Sequence, residues 1–313
     1  MSATLHFDQV GPGVSVQDTG RPGHMRFGVP RSGPMDRLAF ATLHRALGKA
    51  DNFSAIEVSA QGVSLTCQAG NITTGVTGGE FCVHIDGIEQ PPWSVFELKE
   101  GSTLSVQAGE KGSWAYIGFC ANINAPIWLE SRATHLDSGL CGHPFRQGDV
   151  LTLDDAHVES TWHRPLSVPH FAAFNQVARV VKGPQIDAFA EASAEAICSE
   201  PFTITPHYNR MGIQLVGPAL SINTSLALPS EALVRGTVQV TGNGDATVLM
   251  ADHQTTGGYP KIATVISADI DQLAQARPGD ALWFLEVTVE QAIAIRRAAN
   301  VLIHTFLDQQ QPP

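Results

Sequence analysis

One short pattern occurs twice in this chain. Arg26-Phe27-Gly28-Val29-Pro30-Arg31-Ser32-Gly33-Pro34 matches Arg210-Met211-Gly212-Ile213-Gln214-Leu215-Val216-Gly217-Pro218, both fitting R-x-G-[VI]-x-x-x-G-P. Two further landmarks follow in the same order. Thr77-Gly78-Gly79 matches Thr256-Gly257-Gly258, and Gly101 to Leu104 matches Gly279 to Leu282. The spacing stays near a constant value of about 180 residues. A repeat on this scale implies one plan built twice. Glycines at matching places imply matching backbone demands, either positive φ or close chain approach. A chain of 313 residues has room for both copies. The first domain is expected over residues 1–160 and the second over 176–313. The linker, at about 161–175, falls in the Pro- and His-bearing stretch between Asp155 and Asn175.

Each copy reads as mainly β. Short alternating or β-branched runs recur at 62–67, 81–85, 103–106 and 114–119, then at 238–240, 247–250 and 282–287. Glycine and proline punctuate them. That rhythm predicts barrels or sandwiches, not a parallel α/β sheet. Helices are few. Asp36 to Leu47 carries Leu38, Leu43 and Leu47 and stops at Gly48. Ile186 to Ile197 is Ala-rich, and Asp269 to Arg277 is short and ends at Pro278-Gly279. Val289 to Phe306 is the longest, with Ile293, Leu302 and Phe306 expected toward the core and Arg296-Arg297 toward solvent.

Charge and composition exclude whole classes. Nineteen basic residues stand against 30 acidic ones, and no Lys/Arg-rich run occurs, so a nucleic-acid partner is not expected. An acidic chain is also repelled by anionic lipid surfaces, and no apolar run approaches the ~18 residues that span a bilayer. The first residues lack a basic stretch followed by an apolar one, and the five scattered cysteines form no CxxC. A cytoplasmic protein without disulfides is the expectation. The twelve histidines form no H-x-H or H-E-x-x-H, so no metal site is expected, and neither a P-loop nor a G-x-S-x-G elbow is present. Cys141 and His143 are neighbours in sequence, a weak basis for a thiol nucleophile.

Three segments concentrate polar groups. Gly11 to Gly23 holds Asp18 and Arg21 among glycines, and Ser32 and Asp36 follow shortly after. An ordered turn with an Asp18–Arg21 ion pair and a helix N-cap at Ser32 or Asp36 is the plainer reading; a ligand-facing loop is the other. Met250 to Lys261 lies between two apolar strands and offers Asp252, Gln254, Thr255, Thr256 and Tyr259, with Gly257-Gly258 amides for an anion and Lys261 to neutralise it. A wide hairpin with satisfied hydroxyls is its alternative. Arg210 either clamps a carboxylate or phosphate, or pins carbonyls at the duplicated turn.

Several of these segments resemble one family. G-P-G-V-S-V-Q-D-T-G-R-P-G (11–23), S-G-P-M-D-R (32–37), V-V-K-G-P-Q-I-D-A-F (180–189), N-R-M-G-I-Q-L-V-G-P (209–218), A-D-H-Q-T-T-G-G-Y-P-K-I-A-T-V-I-S-A-D (251–269) and L-A-Q-A-R-P-G-D (273–280) are similar to the family of 5-oxoprolinase C subunits. That family, also called PxpC, KipA or allophanate hydrolase subunit 2, is related to the carboxyltransferase region of urea carboxylase. Two positions depart from it: Pro34 stands where Ala is common, and His253 where Arg is common. An Arg at 253 contacts anions permanently; a His does so only when protonated.

The resemblance implies two tandem cyclophilin-like β-barrel domains and a role inside a complex. The implied partners are a KipI/PxpB-type subunit and a LamB/YcsF (PxpA)-type subunit. Together the B- and C-type subunits would activate the lactam of 5-oxoproline with ATP and magnesium, and the A-type subunit would open the ring to glutamate. The alternatives are a biotin-dependent carboxyltransferase acting on a small amide such as urea, and a KipA-like regulator that binds a KipI-like kinase inhibitor. On this reading Lys261, Arg210 and the Gly257-Gly258 amides contact anions. Asp252, Gln254, Thr255 and Tyr259, with Thr256 beside them, orient the amide, and Asp18, Arg21, Ser32 and Asp36 complete a wall.

Overall fold

The computed structural model describes residues 1–49, 53–223 and 229–312. The chain divides into two compact units. The first comprises Met1–Arg21, Ser32–Ala173 and Ile303–Pro313; the second comprises Pro22–Arg31 and Phe174–Leu302.

Two sheets make the first unit. In one, seven strands run in the order Asn122–Ile123, Val150–Asp154, Ala3–Val10, Val63–Ala69, Thr103–Ala108, Phe81–Ile85, Ile88–Gln90. In the other, six run Arg164–Pro165, Ser94–Leu98, Ile72–Thr77, Trp114–Phe119, Ala55–Ser59, Ser15–Gln17. Strand Ala3–Val10 alternates buried and half-buried residues as far as Asp8, as a strand with one covered face must. Its Leu5 and Phe7 join Leu65, Leu104, Ile56, Val76 and Ile117 in one core. Strands Ile72–Thr77 and Trp114–Phe119 are buried at every residue, because their other face is covered too. The cover is helix α1, Arg37–Ala46, whose Phe40 and Leu43 pack with Phe53, Trp93 and Tyr116. Gly75 and Gly118 make room for it: a Cβ at either position would come within 2.7 Å of Leu43 or 2.6 Å of Phe53.

The second unit is a closed barrel of seven strands. Their order is Val177–Lys182, Lys261–Val265, Thr237–Val240, Ala246–Leu249, Gly212–Val216, Phe202–Tyr208, Ala281–Glu286. Val177 pairing in parallel with Trp283 closes the ring, which leaves no unpaired edge. Val180, Ile204, Ile213, Leu215, Val238, Val248, Ile262 and Leu282 fill it. A two-residue ribbon, Glu231–Ala232 with Thr256–Gly257, sits apart from the barrel ladder.

Three further helices appear among the described residues: α2 (Glu191–Ser199), α3 (Ile270–Ala274) and α4 (Val289–Asp308). None is long and apolar enough to cross a membrane. The expected mainly β architecture with few helices holds. Its details differ in two places. The Ala-rich segment is two pieces, a 3-10 turn at Ile186–Ala188 and then α2. Phe189 between them is extended, bridges Ile222 and is buried, so tertiary burial interrupts what propensity alone would continue. In α4, Phe306 packs with Leu38 and Phe171, but Ile293 and Leu302 are exposed.

The repeat differs as well. Gly28, Gly33, Gly78 and Gly79 have positive φ, whereas Gly212, Gly217, Gly257 and Gly258 do not. Gly212 opens a barrel strand where a Cβ would meet Thr247 at 2.8 Å, and Gly217 lies against the Phe202 ring. The same letters therefore answer different demands, conformational in one copy and steric in the other. Only Gly101 and Gly279 agree, with φ of 84° and 95° in the turns entering strands Thr103–Ala108 and Ala281–Glu286.

Candidate functional site

In the first unit, strand Ser15–Gln17 delivers the chain to the Asp18 turn. The Asp18 carboxylate accepts hydrogen bonds from Gly20 N (2.8 Å), Ser131 Oγ (2.7 Å) and Arg132 N (2.5 Å). Those three donors occupy most of its acceptor capacity. Gln17 ties the same segment through Thr134 O at 2.9 Å. Arg21 is fully buried, and it does not pair with Asp18. Its Nη1 reaches Ser32 Oγ at 3.4 Å, and its Nη2 donates to Ala133 O and to Cys141 Sγ (3.3 Å). The Trp128 ring lies 5.9 Å from the guanidinium carbon, within cation–π range. The Cys141 thiol donates to Ser131 O at 3.2 Å, so it turns to Ser131 and Arg21 and not to His143.

Asp36 belongs to a different cluster. Its side chain caps α1 by accepting from Ala39 N at 2.9 Å, which confirms the N-cap reading. Its own N–H donates to Tyr116 Oη (2.8 Å), and that hydroxyl donates to Glu57 Oε2 (2.8 Å), which also accepts from Met35 N. Burial, then the Glu57 charge, hold the Tyr116 phenol well above its ordinary value, so it stays a donor. Asp18, Arg21 and Ser32 thus gather around residues 131–141, while Asp36 sits apart in a satisfied network.

The second unit holds the other candidates. Arg210 and Asp252, offered by the sequence as an anion clamp and an amide-orienting group, face each other. Nε meets Oδ2 at 2.8 Å and Nη2 meets Oδ1 at 2.9 Å, with both side chains almost fully buried. Asp252 N also donates to Arg210 O at 2.8 Å. This two-pronged pair locks the turn before strand Gly212–Val216 to the turn after Ala246–Leu249.

That loop carries the remaining candidates. Gln254 Nε2 donates to Gln239 Oε1 at 3.1 Å, and Gln239 Nε2 donates to Tyr259 O at 3.4 Å. Thr255 O accepts from Leu233 N, and Thr256 and Gly257 pair with the Glu231–Ala232 ribbon. Gly257 and Gly258 lack the left-handed step of an anion nest. Gly257 instead leaves space, since a Cβ there would sit 3.0 Å from Gln239 Nε2. Lys261 begins a barrel strand, is buried, and places Nζ 2.5 Å from Glu231 Oε2. Gln185 accepts from Lys261 N (3.2 Å) and donates to the same Glu231 oxygen (2.8 Å).

A cavity of about 310 Å³ opens beside Gln214, Gln239, Gln254 and Tyr259. It brings Gln254 and Tyr259 together with two glutamines that sequence reasoning missed. The available signal was a polar residue inside an apolar strand: Gln239 stands in Val238-Gln239-Val240 and is buried. The cavity offers amide donors and acceptors in one place, the complement of a planar –CO–NH– group.

His253 is buried and its Nδ1 lies 2.6 Å from Gln254 O. Burial, reinforced by the nearby Arg235 charge, holds its pKa below the ordinary histidine value. The shift favours the neutral imidazole, whose Nδ1–H donates to that carbonyl. The unfolded chain takes up a proton at about pH 6.5, whereas folded His253 resists it to lower pH. Stability is thus lost as pH falls below about 6.5. Urea midpoints from pH 7.5 to 5 should fall less steeply for His253→Gln than for the parent.

Comparison with known proteins identifies the family of the chain. The chain is 32% identical over 299 residues to the C subunit of 5-oxoprolinase from Haemophilus influenzae, covering 95% of this chain and 94% of that one. It is 30% identical over 298 residues to the C subunit of 5-oxoprolinase from Escherichia coli, covering 94% of each. The Kluyveromyces lactis urea amidolyase structure superposes with a TM-score of 0.85 at 25% identity; it takes in 97% of this chain, which spans only 20% of that one. The family model for the carboxyltransferase domain, subdomain A and B, matches residues 27–286, from the segment after Arg21 to the last barrel strand. On fold, coverage and that match, the chain belongs to the family of the carboxyltransferase domain, subdomain A and B.

Proposed function

We propose that this chain is the C subunit of an ATP-dependent 5-oxoprolinase complex that converts 5-oxoproline to glutamate. The supporting observation is coverage. The likeness to the 5-oxoprolinase C subunits runs nearly end to end in both chains, whereas the urea amidolyase likeness uses a fifth of that larger protein. The complex is completed by a KipI/PxpB-type subunit and a LamB/YcsF (PxpA)-type subunit, and ATP with its magnesium enters as a substrate of the whole.

In this role the barrel of the second unit supplies binding and alignment. An amide oxygen is a weak nucleophile, so its attack on the γ-phosphorus of ATP, which breaks the bond to the bridging oxygen and releases ADP, depends on orientation and charge neutralisation more than on a covalent group from the protein. Gln239 and Gln254 present an acceptor and a donor to the lactam N–H and C=O, with Tyr259 at the rim. Lys261 offsets negative charge. Arg210 and Asp252 keep the loop in place without touching substrate, and Asp18, Arg21 and Ser32 fix their own turn in the first unit.

A second reading is carboxyl transfer from carboxybiotin to an amide nitrogen. The 0.85 TM-score to urea amidolyase favours it, and the same amide-binding groups would serve. Substrate dependence separates the two. The purified complex of all three subunits should hydrolyse ATP on addition of 5-oxoproline and ignore urea with bicarbonate. A response to urea and bicarbonate that avidin abolishes would establish carboxyl transfer instead.

A further inference from the structure

Lys261 already carries a carboxylate, and that carboxylate is the chain's own. Glu231 Oε2 receives two donors, Lys261 Nζ at 2.5 Å and Gln185 Nε2 at 2.8 Å. The two partners differ in character. Lys261 is 8% exposed and fixed at the start of a barrel strand, whereas Glu231 is 49% exposed and rides on a two-residue ribbon. Turning the Glu231 side chain into water costs that carboxylate little solvation. The same motion leaves a buried ammonium without its partner, which is costly unless another anion takes the place. Gln185 is placed equally firmly. Its Oε1 accepts from the Lys261 backbone N–H, which sets its amide so that Nε2 faces the carboxylate oxygen.

We infer that Lys261 Nζ and Gln185 Nε2 form a recognition pair for a planar O–C–O anion, and that Glu231 occupies it as a built-in competitor. The inference rests on the reading that the Lys261 loop belongs to the substrate site. It deepens that reading by naming the substrate feature bound: the free carboxylate of 5-oxoproline or, in carboxyl transfer, the carbamate of carboxybiotin. Hydrogen bonds from Lys261 and Gln185, with the Lys261 charge, hold the Glu231 carboxyl below its ordinary range, so the competitor remains ionised at working pH. A substrate must therefore bind tightly enough to displace it, which discriminates against lactams and amides that lack the anion.

Titrating the full chain tests this, with three probes followed by calorimetry and by the NMR signals of Lys261 and Gln185. The probes are 5-oxoproline, 2-pyrrolidone (the same lactam without a carboxylate) and acetate. Glu231→Gln should bind 5-oxoproline and acetate at least about fivefold more tightly than the parent and leave 2-pyrrolidone unchanged. Adding Lys261→Ala to Glu231→Gln should erase the gain. Thermal unfolding of each variant confirms that the fold persists. Tightening for acetate but not 5-oxoproline would keep the carboxylate pair and count against the 5-oxoprolinase reading. Unchanged or weaker binding of both carboxylates by Glu231→Gln would overturn the inference, whatever reaction the complex performs.

Discussion

Lys261→Ala should lower the 5-oxoproline-dependent turnover of the assembled complex by roughly 100-fold while leaving this chain folded. The substitution removes the cation that the barrel of the second unit points at the Glu231 ribbon. A cation in a partly dry site that holds the substrate's carboxylate also aligns the lactam for reaction, and truncating it leaves nothing to replace it. The structural cost is small by comparison. Glu231 is half exposed and regains water when its partner goes, so only a partly solvated ion pair is lost. Unfolding midpoints close to those of the parent, together with the fall in kcat/KM, would place Lys261 in the site. Unchanged turnover would remove it.

Asp252→Ala should do the opposite: destabilise the chain by roughly 3–5 kcal/mol, through a buried guanidinium left without its carboxylate. Arg210 and Asp252 are both almost fully buried and bonded at 2.8 and 2.9 Å. Water cannot take the place of the missing partner. Replacing both residues, as Arg210→Met with Asp252→Leu, should recover much of that loss, because an apolar pair of similar bulk carries no unpaired charge. Urea denaturation of the single and double variants measures the coupling. A group that touched substrate would behave differently, losing turnover in Asp252→Ala with little change in unfolding midpoint.

These contrasting expectations show where local sequence is informative and where it is not. The mainly β character follows from short alternating runs, each of which reports its own burial. Helix α1 follows from its cap and its leucines, which lie within one stretch of chain. The loop from Asp252 to Lys261 stands out because many polar groups crowd between two apolar strands. What could not be read is what each of those groups faces. The Arg210–Asp252 pair joins residues far apart in sequence, and only the pairing of strands Gly212–Val216 and Ala246–Leu249 brings them together. Gln239 looks like an interruption in a strand until the loop folds over it. Glu231 lies in a stretch with no motif at all, yet it holds the candidate cation.

The glycines teach a related lesson. A shared letter in the two copies does not mean a shared conformation, since a glycine is selected equally by positive φ and by a neighbour too close for a Cβ. Gly28 satisfies the first demand and Gly212 the second. The exposed Ile293 and Leu302 mark a further limit. A helix with an apolar stripe predicts burial somewhere, and the periodicity does not say against what.

The measurement that bears most directly on the assigned role is an omission assay. The B-type and A-type subunits from the same genome would be assayed with ATP, magnesium and 5-oxoproline, with and without this chain. Glutamate release coupled to ATP hydrolysis should require the chain and return when it is added back. Equal glutamate release in its absence would contradict its place as the C subunit.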